Sequence, residues 1–244
     1  MGSNIEKDGE YFITLSPDEI VKQWVCLFYG GSGTQKTRTA AQWPNPMFLS
    51  CERGQYGGLL SAREFSPKQV VIKSWDEYLA VLPKLQAGAG VDFNTLVLDS
   101  ATAMQQFIMR DILSAAYREI PQYEDWNLNA NRMRTLINTL SNLNCHLIMI
   151  ATEQITQDGY SKEIKGLPNL PGKLAAELPP ATDLCLHFSA RSQFTADGKQ
   201  ETIFLMHSVP TSMWAGKDCS GFLPAEMATK TGESTFKHLE KLFT

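Results

Sequence analysis

The chain has 244 residues, of which 43% are hydrophobic and 20% charged, and its formal net charge is −4. The composition is ordinary for a soluble globular protein, and the length is sufficient for one α/β domain with a large core. No apolar run approaches the roughly 18 residues of a membrane span, and residues 1–9 lack the apolar segment of a secretory signal. Because the net charge is negative, any nucleic-acid contact must come from a local basic patch.

The five cysteines, at positions 26, 51, 145, 185 and 219, are scattered and show no CxxC spacing. Cys26 and Cys145 lie in apolar runs. This pattern is typical of reduced, mostly buried thiols rather than of a disulfide or zinc framework. We therefore expect a cytoplasmic protein without a membrane anchor.

The first half of the chain alternates apolar runs with helix-permissive stretches. Residues 1–23 predict a lead-in, in which Ser16-Pro17-Asp18-Glu19 is typical of a helix start. A helix after the first strand must end before Pro44, because a residue that precedes proline disfavours helical backbone. Predicted strands are 24–29, 46–52, 70–73 and 94–100, and predicted helices run from a capping box at Ser74 to about Gln86 and onward from residue 101.

The second half begins with a predicted connection at 119–129 and an amphipathic helix at 130–143. A buried strand is predicted at 146–151. Residues 155–180 lose all periodicity and are rich in glycine and proline, so we expect a mobile loop. The remaining predicted elements are a hairpin of strands 183–190 and 201–207 around Asp197-Gly198 and a short helix at 234–242.

Strands that alternate with helices predict an α/β fold with a mostly parallel central sheet flanked by helices. We expect one domain at 24–244 after the lead-in, with the segment 183–244 as a C-terminal β-hairpin extension. In such sheets, ligands bind at the carboxyl ends of the strands.

A glycine-rich sequence follows the first predicted strand and matches the phosphate-loop pattern G-x-x-x-x-G-K-[ST] at Gly30, Lys36 and Thr37. Gln35 replaces the second glycine, so a side chain stands where backbone usually approaches phosphate closely. In such loops backbone N–H groups wrap the β-phosphate, the lysine reaches the β- and γ-phosphates and the hydroxyl ligates Mg²⁺. An ordinary glycine-rich turn is the alternative. We predict that ATP and Mg²⁺ bind at Gly30, Gly31, Ser32, Gly33, Thr34, Gln35, Lys36, Thr37, Arg38 and Asp99.

Polar side chains end the neighbouring predicted strands. Asp99 is predicted to hold Mg²⁺ together with Thr37, although a strand-terminal aspartate can also merely cap the next helix. Glu52 is predicted to polarise the attacking water, and Glu153 is the rival base one strand away. Gln154, beside Thr152, could sense the γ-phosphate and pass its presence to the following loop.

Three lysines, Lys162, Lys165 and Lys173, lie in the predicted loop at 155–180. They could contact a nucleic-acid backbone, but Asp158 and Glu163 dilute the charge, and a plain surface loop is an equal alternative. Lys217 lies in an irregular segment and by itself indicates only a solvated lysine.

The order and spacing of these motifs resemble the phage-encoded RecA-like P-loop ATPases, of AAA type, found in recombination and single-strand-annealing gene clusters. The resemblance covers about 24–225. Besides the phosphate loop, it includes the segments 44–54, 72–78, 96–100, 125–127, 131–134, 151–154, 168–173 and 215–218.

The resemblance implies a RecA-like core and ATP hydrolysis coupled to binding of single-stranded DNA, in a phage protein of the host cytoplasm. It implies self-association into filaments or rings with ATP at subunit interfaces, and possible action beside a phage single-strand-binding or annealing protein. Glu52 is similar to the family's water-activating glutamate, and Gln154 to the residue that links the γ-phosphate to a DNA-binding loop at 155–173. Lys217 resembles a lysine that a neighbouring subunit inserts toward the γ-phosphate. Gln35 and Cys51 depart from the family's pattern.

The first functional hypothesis is therefore a DNA-dependent ATPase. The second is a nucleotide-gated binding or assembly protein with little turnover, in which Gln35 has altered the site. A P-loop kinase is disfavoured, because the chain has no arginine-rich lid.

Overall fold

A computed structural model describes most of the chain. The described residues are 4–7, 10–13, 23–52, 57–87, 92–157, 162–194, 197–230 and 232–243. The predicted helix start at Ser16 and the loop residue Asp158 lie outside them. Within the described residues, no helix is long and apolar enough to cross a membrane.

Twelve strands are present among the described residues, and ten of them form one sheet. A separate hairpin pairs β1 with β2 near the N-terminus. The strands are β1 (Asn4–Lys7), β2 (Glu10–Ile13), β3 (Val25–Gly30), β4 (Pro46–Ser50), β5 (Lys68–Val71), β6 (Thr95–Asp99), β7 (His146–Gln157), β8 (Ile164–Pro168), β9 (Leu184–Phe194), β10 (Gln200–His207), β11 (Lys217–Asp218) and β12 (Glu226–Lys230).

The centre of the large sheet is parallel. Its strands lie in the order β5-β4-β6-β7-β3-β9, with every neighbouring pair parallel. Antiparallel strands β10 and β12 extend the sheet beyond β9, β11 pairs with β9, and β8 pairs with β7. The predicted hairpin therefore exists, and it continues the central sheet because β9 pairs with β3.

Five α-helices lie among the described residues: α1 (Lys36–Ala40), α2 (Trp75–Gln86), α3 (Ala101–Ala115), α4 (Tyr123–Ser141) and α5 (Leu174–Ala181). The predicted start of α2 is confirmed, because Oγ of Ser74 accepts a hydrogen bond from the N–H of Glu77 at 3.2 Å. Ser100 caps α3 in the same way through the N–H of Ala103. A 3₁₀ helix covers Gly57–Phe65.

Both faces of the sheet are buried, and successive residues of β3 show this directly. Leu27 and Tyr29 pack into one core with side chains of α3 and α4, while Cys26 and Phe28 pack into a second core with Trp43 and the C-terminal segment. Side chains that alternate between two cores are those of a strand covered on both sides. The predicted α/β fold with a mostly parallel sheet flanked by helices is confirmed. All five cysteines are free, and only Cys219 is exposed.

Three parts of the prediction are wrong. The described residues of the segment 155–180 are largely regular, because β7 runs on to Gln157, β8 pairs beside it and α5 follows. Helix α4 begins at Tyr123, inside the predicted connection, because Asp125 accepts the N–H of Gln122 at 2.8 Å and caps an exposed first turn that has no apolar stripe. The predicted helix at 234–242 is two 3₁₀ turns, Phe236–His238 and Glu240–Leu242.

Candidate nucleotide-binding site

The glycine-rich loop lies at the carboxyl end of β3, in the middle of the parallel strands. Gly30 pairs with Thr152 on one side and with Phe188 on the other. Its φ is 146°, and a Cβ atom at this position would lie 1.9 Å from the carbonyl oxygen of Phe188. Any side chain would collide with β9, so glycine is required for the loop to leave the sheet here.

Gln35 immediately precedes α1 and adopts the left-handed conformation, with φ of 72°. Its carbonyl accepts hydrogen bonds from both the N–H and the hydroxyl of Thr39, each at 2.9 Å. Its side-chain Oε1 is buried without a hydrogen-bond partner among the described residues. The loop thus retains a backbone conformation suited to glycine although a side chain is present.

Replacing Gln35 with glycine is expected to raise the free energy of unfolding by about 1 kcal/mol, because the left-handed conformation costs an L-residue roughly that much. ATP affinity should rise or stay unchanged. Thermal unfolding and isothermal titration with ATP measure both quantities. Gln35→Ala is the matched control, since it removes the amide but keeps the Cβ; equal stability of the two variants would show that backbone strain is not the cause. A loss of ATP affinity in Gln35→Gly would instead indicate that the side chain contacts nucleotide.

Lys36 is folded into the loop and is only 8% exposed. Its Nζ donates to the carbonyl oxygens of Gly30 at 2.9 Å and Gly31 at 2.6 Å. Burial lowers the pKa of Lys36, whereas the nearby carboxylates of Asp99, Glu153 and Glu52 raise it. The ammonium group is therefore a partly desolvated cation under the electrostatic influence of three carboxylates, and it lines the cavity in which an anionic ligand could bind.

Thr37 and Asp99 meet across the site, as the sequence predicts for a metal-binding pair. The hydroxyl of Thr37 donates to Oδ2 of Asp99 at 2.8 Å. Hydroxyl and carboxylate oxygens are the hard ligands that Mg²⁺ prefers, and Mg²⁺ commonly takes the rest of its shell from phosphates and water. Among the described residues, no group of three or more His, Cys, Asp or Glu side chains could hold a metal ion. The Thr37 hydroxyl and the Asp99 carboxylate are of the ligand type that Mg²⁺ accepts beside phosphate oxygens and water.

Asp99 is only 1% exposed. Its pKa is raised to about 6, chiefly by burial and further by Glu52, while the Thr37 hydrogen bond and Lys36 lower it. A carboxyl whose pKa is raised in the folded state contributes stability at low pH, and that contribution is lost as pH rises through the folded value. Asp99 therefore destabilises the metal-free protein at neutral pH.

Asp99→Asn is expected to stabilise the metal-free protein at pH 7, by up to about 3 kcal/mol for a shift of roughly two pKa units. The wild-type protein should lose this stability between about pH 4 and pH 6, and the variant should not. Chemical denaturation in the presence of a chelator at several pH values measures the difference. Asp92→Asn, which changes an exposed carboxylate, is the control. Parallel pH profiles for wild type and Asp99→Asn would contradict the assignment.

A cavity of about 490 Å³ opens above the loop. Its wall includes Glu52, Thr152 and Phe204 together with most of the predicted nucleotide-site residues, namely Ser32, Gly33, Thr34, Gln35, Lys36, Thr37, Arg38 and Asp99. Arg38 forms an ion pair with Glu64 at 2.5 Å. The exposed Glu52 lies two residues beyond the end of β4, next to the end of β6 that carries Asp99.

Glu153, the rival base, lies on the other side of the loop. A Cβ atom on Gly31 would lie 3.5 Å from Oε1 of Glu153, and the other carboxylate oxygen is 2.9 Å from Nε2 of His187. His187 is buried in β9 and stacks on Trp214, with ring centroids 4.4 Å apart. Burial lowers the pKa of His187 although Glu153 raises it, so a neutral imidazole donates to the carboxylate. Glu153 is therefore held in one orientation against the loop.

The other predicted functional residues lie farther from this cavity. Gln154 lines a second cavity, between α3, α4 and the segment after β8. Lys217 pairs with Cys185 of β9, and Cys185 pairs with Leu27 of β3, three residues before Gly30. The Nζ of Lys217 donates a hydrogen bond to the carbonyl of Pro180 at 2.7 Å. Within one chain the structure thus does not bring Gln154 or Lys217 to the glycine-rich loop.

The three predicted DNA-binding lysines are exposed on or beside the β7–β8 hairpin. Lys165 lies on β8 and pairs with Glu163 at 3.3 Å. Lys162 precedes β8, and Lys173 immediately precedes α5. The basic side chains are accessible, and at least one is partly neutralised by its neighbour.

Sequence reasoning missed His187 and Trp214. His187 stands inside the apolar run of β9, and Trp214 lies in an irregular segment, so neither has a local pattern that indicates a site. An imidazole in a strand beside the phosphate-loop strand is a weak signal, and it becomes specific only once strand order is known.

A glycine-rich loop after a parallel strand, a buried lysine and a Thr–Asp pair define a P-loop nucleotide-binding protein. A family model described as an AAA domain matches residues 22–220, and the chain belongs to that family of AAA-type P-loop NTPases. Comparison with curated proteins gives no match.

Proposed function

We propose that this protein binds and hydrolyses ATP with Mg²⁺, and that nucleotide state controls its self-assembly and its binding of single-stranded DNA during phage recombination. One observation carries the catalytic part of this proposal: the Thr37–Asp99 pair, at 2.8 Å, lies in the wall of the same cavity as Lys36 and Glu52. Phosphoryl transfer depends mainly on positioning and charge neutralisation, and this arrangement supplies both.

Each residue has a distinct role in the proposed reaction. Lys36 exchanges its hydrogen bonds with the Gly30 and Gly31 carbonyls for bonds to the β- and γ-phosphate oxygens. Thr37 and Asp99 would hold Mg²⁺, which neutralises phosphate charge when bound. Glu52 orients the water that attacks the γ-phosphate. Thr152, in the cavity wall, is proposed to sense whether the γ-phosphate is present.

The DNA-binding part of the proposal is supported by the path of β7. This single strand runs from the cavity at Thr152 to the exposed hairpin that carries Lys165. A change of contact at the phosphate end can therefore reach the lysines through continuous backbone. Arginine and lysine contacts to phosphates supply most of the sequence-independent affinity for nucleic acid.

Phosphate release by the purified protein, measured with and without single-stranded DNA and alongside particle size, tests the proposal. We expect turnover that DNA stimulates and an assembly that grows when ATP is present. Release equal to that of Lys36→Ala under both conditions would leave the second hypothesis, a nucleotide-gated binding protein with little turnover. Two observations favour this alternative: Gln35 has a left-handed backbone conformation, and the Lys36 ammonium is hydrogen-bonded to the Gly31 carbonyl of its own loop.

Neutralising Lys162, Lys165 and Lys173 together tests the hairpin. DNA affinity should fall, and the plot of log affinity against log salt concentration should become flatter by roughly one unit for each lost phosphate contact. Lys84→Ala, an exposed lysine of α2, is the control. If the slope of log affinity against log salt concentration is unchanged, the three lysines do not contact DNA and are ordinary surface residues.

Lys217 is proposed to act on the γ-phosphate bound by a neighbouring subunit, which agrees with its distance from the loop of its own chain. Mixing Lys217→Ala subunits with Lys36→Ala subunits should restore some activity at mixed interfaces. If no ratio of the two variants restores turnover, Lys217 does not act in a neighbouring subunit, and its hydrogen bond to the carbonyl of Pro180 indicates a structural role.

A further inference from the structure

A second cavity, of about 730 Å³, lies between α3, α4 and residues 169–172. It is larger than the cavity above the glycine-rich loop and does not include any residue of that loop. Five side-chain amides line it, from Gln105, Gln106, Asn129, Gln154 and Asn169. The amides make it a polar site rather than a gap in the apolar core.

The charged and aromatic side chains of the cavity wall restrict the kinds of ligand that it can bind. Among the described residues that line the cavity, Arg110 is the charged side chain and none is a carboxylate. Trp126, on the first turn of α4, is 47% exposed, so half of its surface is open to solvent. A wall without carboxylates does not attract a cation. Nitrogen atoms of three of the amides already donate hydrogen bonds within the protein, those of Gln105, Asn129 and Asn169. A purely apolar ligand would still leave Oδ1 of Asn129 without a partner. A flat, polar, neutral or anionic ligand fits both conditions.

The side chain of Asn129 gives independent evidence that the cavity wall is suited to a polar ligand. This side chain is 1% exposed, and its Nδ2 donates to the carbonyl of Gln105 at 3.0 Å. Its Oδ1 is buried and has no hydrogen-bond partner among the described residues. Buried acceptors are nearly always paired, so this oxygen is suited to a ligand N–H group.

We infer that this cavity binds a nucleobase. Trp126 supplies a stacking surface, the side-chain amides of Gln106 and Gln154 supply donors and acceptors for a base edge, and the exposed Arg110 supplies a positive charge for a phosphate. The base can belong to a single-stranded nucleic acid or to a free nucleoside. The assignment to a strand rests on the proposed function, whereas the base chemistry of the cavity does not.

The cavity shares a wall with the phosphate site through Thr102, Thr152 and Asn169. The N–H of Asn169 donates to the carbonyl of Thr152 at 2.8 Å, and the hydroxyl of Thr102 donates to the carbonyl of Asn169 at 3.1 Å. The N–H of Thr152 in turn donates to the hydroxyl of Thr102 at 3.1 Å. Because Thr152 lines the first cavity and Asn169 the second, occupancy of one can shift the wall of the other.

Fluorescence anisotropy with two labelled strands of equal length, oligothymidine and an abasic strand, tests the inference in full-length protein. Both strands carry the same phosphates, so their ratio of affinities isolates the bases. We expect the thymidine strand to bind roughly tenfold or more tightly, and Trp126→Ala to remove that advantage while leaving the salt slope unchanged. Trp126→Phe should keep most of the advantage, because it retains a stacking ring.

Leu128→Ala is the matched control, since Leu128 is also an exposed residue of α4 and does not line the cavity. Gln106→Ala, which removes an exposed amide of the wall, provides a second variant if Trp126→Ala is unstable. In a second arm, free thymidine and adenosine are tested by saturation-transfer NMR on wild type and Trp126→Ala. Trp126-dependent signals from nucleosides without preference for the thymidine strand would support the base site and assign it to free nucleosides.

Equal binding of both strands together with the absence of Trp126-dependent nucleoside signals would overturn the inference. Equal effects of Trp126→Ala and Leu128→Ala would also overturn it. These results are separable from failure of the proposed function. Loss of turnover or of the lysine salt effect would leave the thymidine-to-abasic ratio of the wild-type protein unchanged.

Discussion

Lys36→Ala should abolish measurable ATP turnover, with ATP affinity lower by about 10- to 100-fold. The affinity estimate follows from the loss of a charge-assisted hydrogen bond worth roughly 1.5–3 kcal/mol. Turnover should fall by a further ~10²–10³, because the donor is positioned where charge develops on the transferred phosphate. The cation is already partly desolvated near Asp99, Glu153 and Glu52, so little further desolvation is needed when phosphate arrives, but its hydrogen bonds to the Gly30 and Gly31 carbonyls must break first.

Equilibrium binding of a fluorescent ATP analogue and single-turnover phosphate release separate these two effects. Lys84→Ala removes an exposed lysine from α2 and serves as the control for the change in net charge. The Lys36→Ala variant should also be less stable than the wild type without nucleotide, because the Lys36 ammonium hydrogen-bonds the carbonyls of both Gly30 and Gly31. Wild-type affinity in Lys36→Ala would show that the loop does not hold the phosphates.

Glu52→Gln is expected to retain ATP binding and to lower turnover by about 10²–10⁴, the usual contribution of a general base. Glu52 lines the nucleotide cavity and is exposed there, so it can reach a water molecule next to the γ-phosphate. Glu153→Gln should have a smaller effect on turnover. The carboxylate of Glu153 is engaged by His187, and an amide oxygen can still accept that hydrogen bond.

Presteady-state phosphate release, with ATP binding measured in parallel, compares the two variants. Glu119→Gln, in the exposed connection between α3 and α4, controls for the loss of a carboxylate. Near-normal turnover in Glu52→Gln together with an inactive Glu153→Gln would transfer the role of base to Glu153. His187→Ala should then show the same loss, since His187 fixes the orientation of that carboxylate.

Much of the parallel sheet and its ligand-binding edge could be predicted from local sequence. Apolar runs such as the one ending at Asp99 are strands buried on both faces, and polar residues that end parallel strands meet at one edge. The meeting of Thr37 and Asp99 follows from these two rules. The same rules place Glu52 in the cavity wall.

The errors arose where stability comes from distant contacts rather than from periodicity. The pairing of β7 with β8 was hidden because residues 155–157, 164 and 165 are all exposed and so show no apolar alternation, and because β8 carries Gly166 and Pro168. The first turn of α4 is polar or exposed on most sides, so its sequence lacks an apolar stripe. The His187–Trp214 stack joins residues from a strand and an irregular segment, and only the folded sheet brings them together.

The close approach of Gly30 to Phe188 has a consequence for folding. The glycine-rich loop precedes β9, the strand that packs against its first residue, by most of the other strands of the parallel sheet. During synthesis, β3 must therefore wait beside an open edge until residues 184–188 emerge. Contacts between residues so far apart in sequence form late and slow the folding of a domain. The nascent chain should consequently acquire its phosphate-binding shape only after residues 184–188 have been synthesised, when β3 to β7 are already available for pairing.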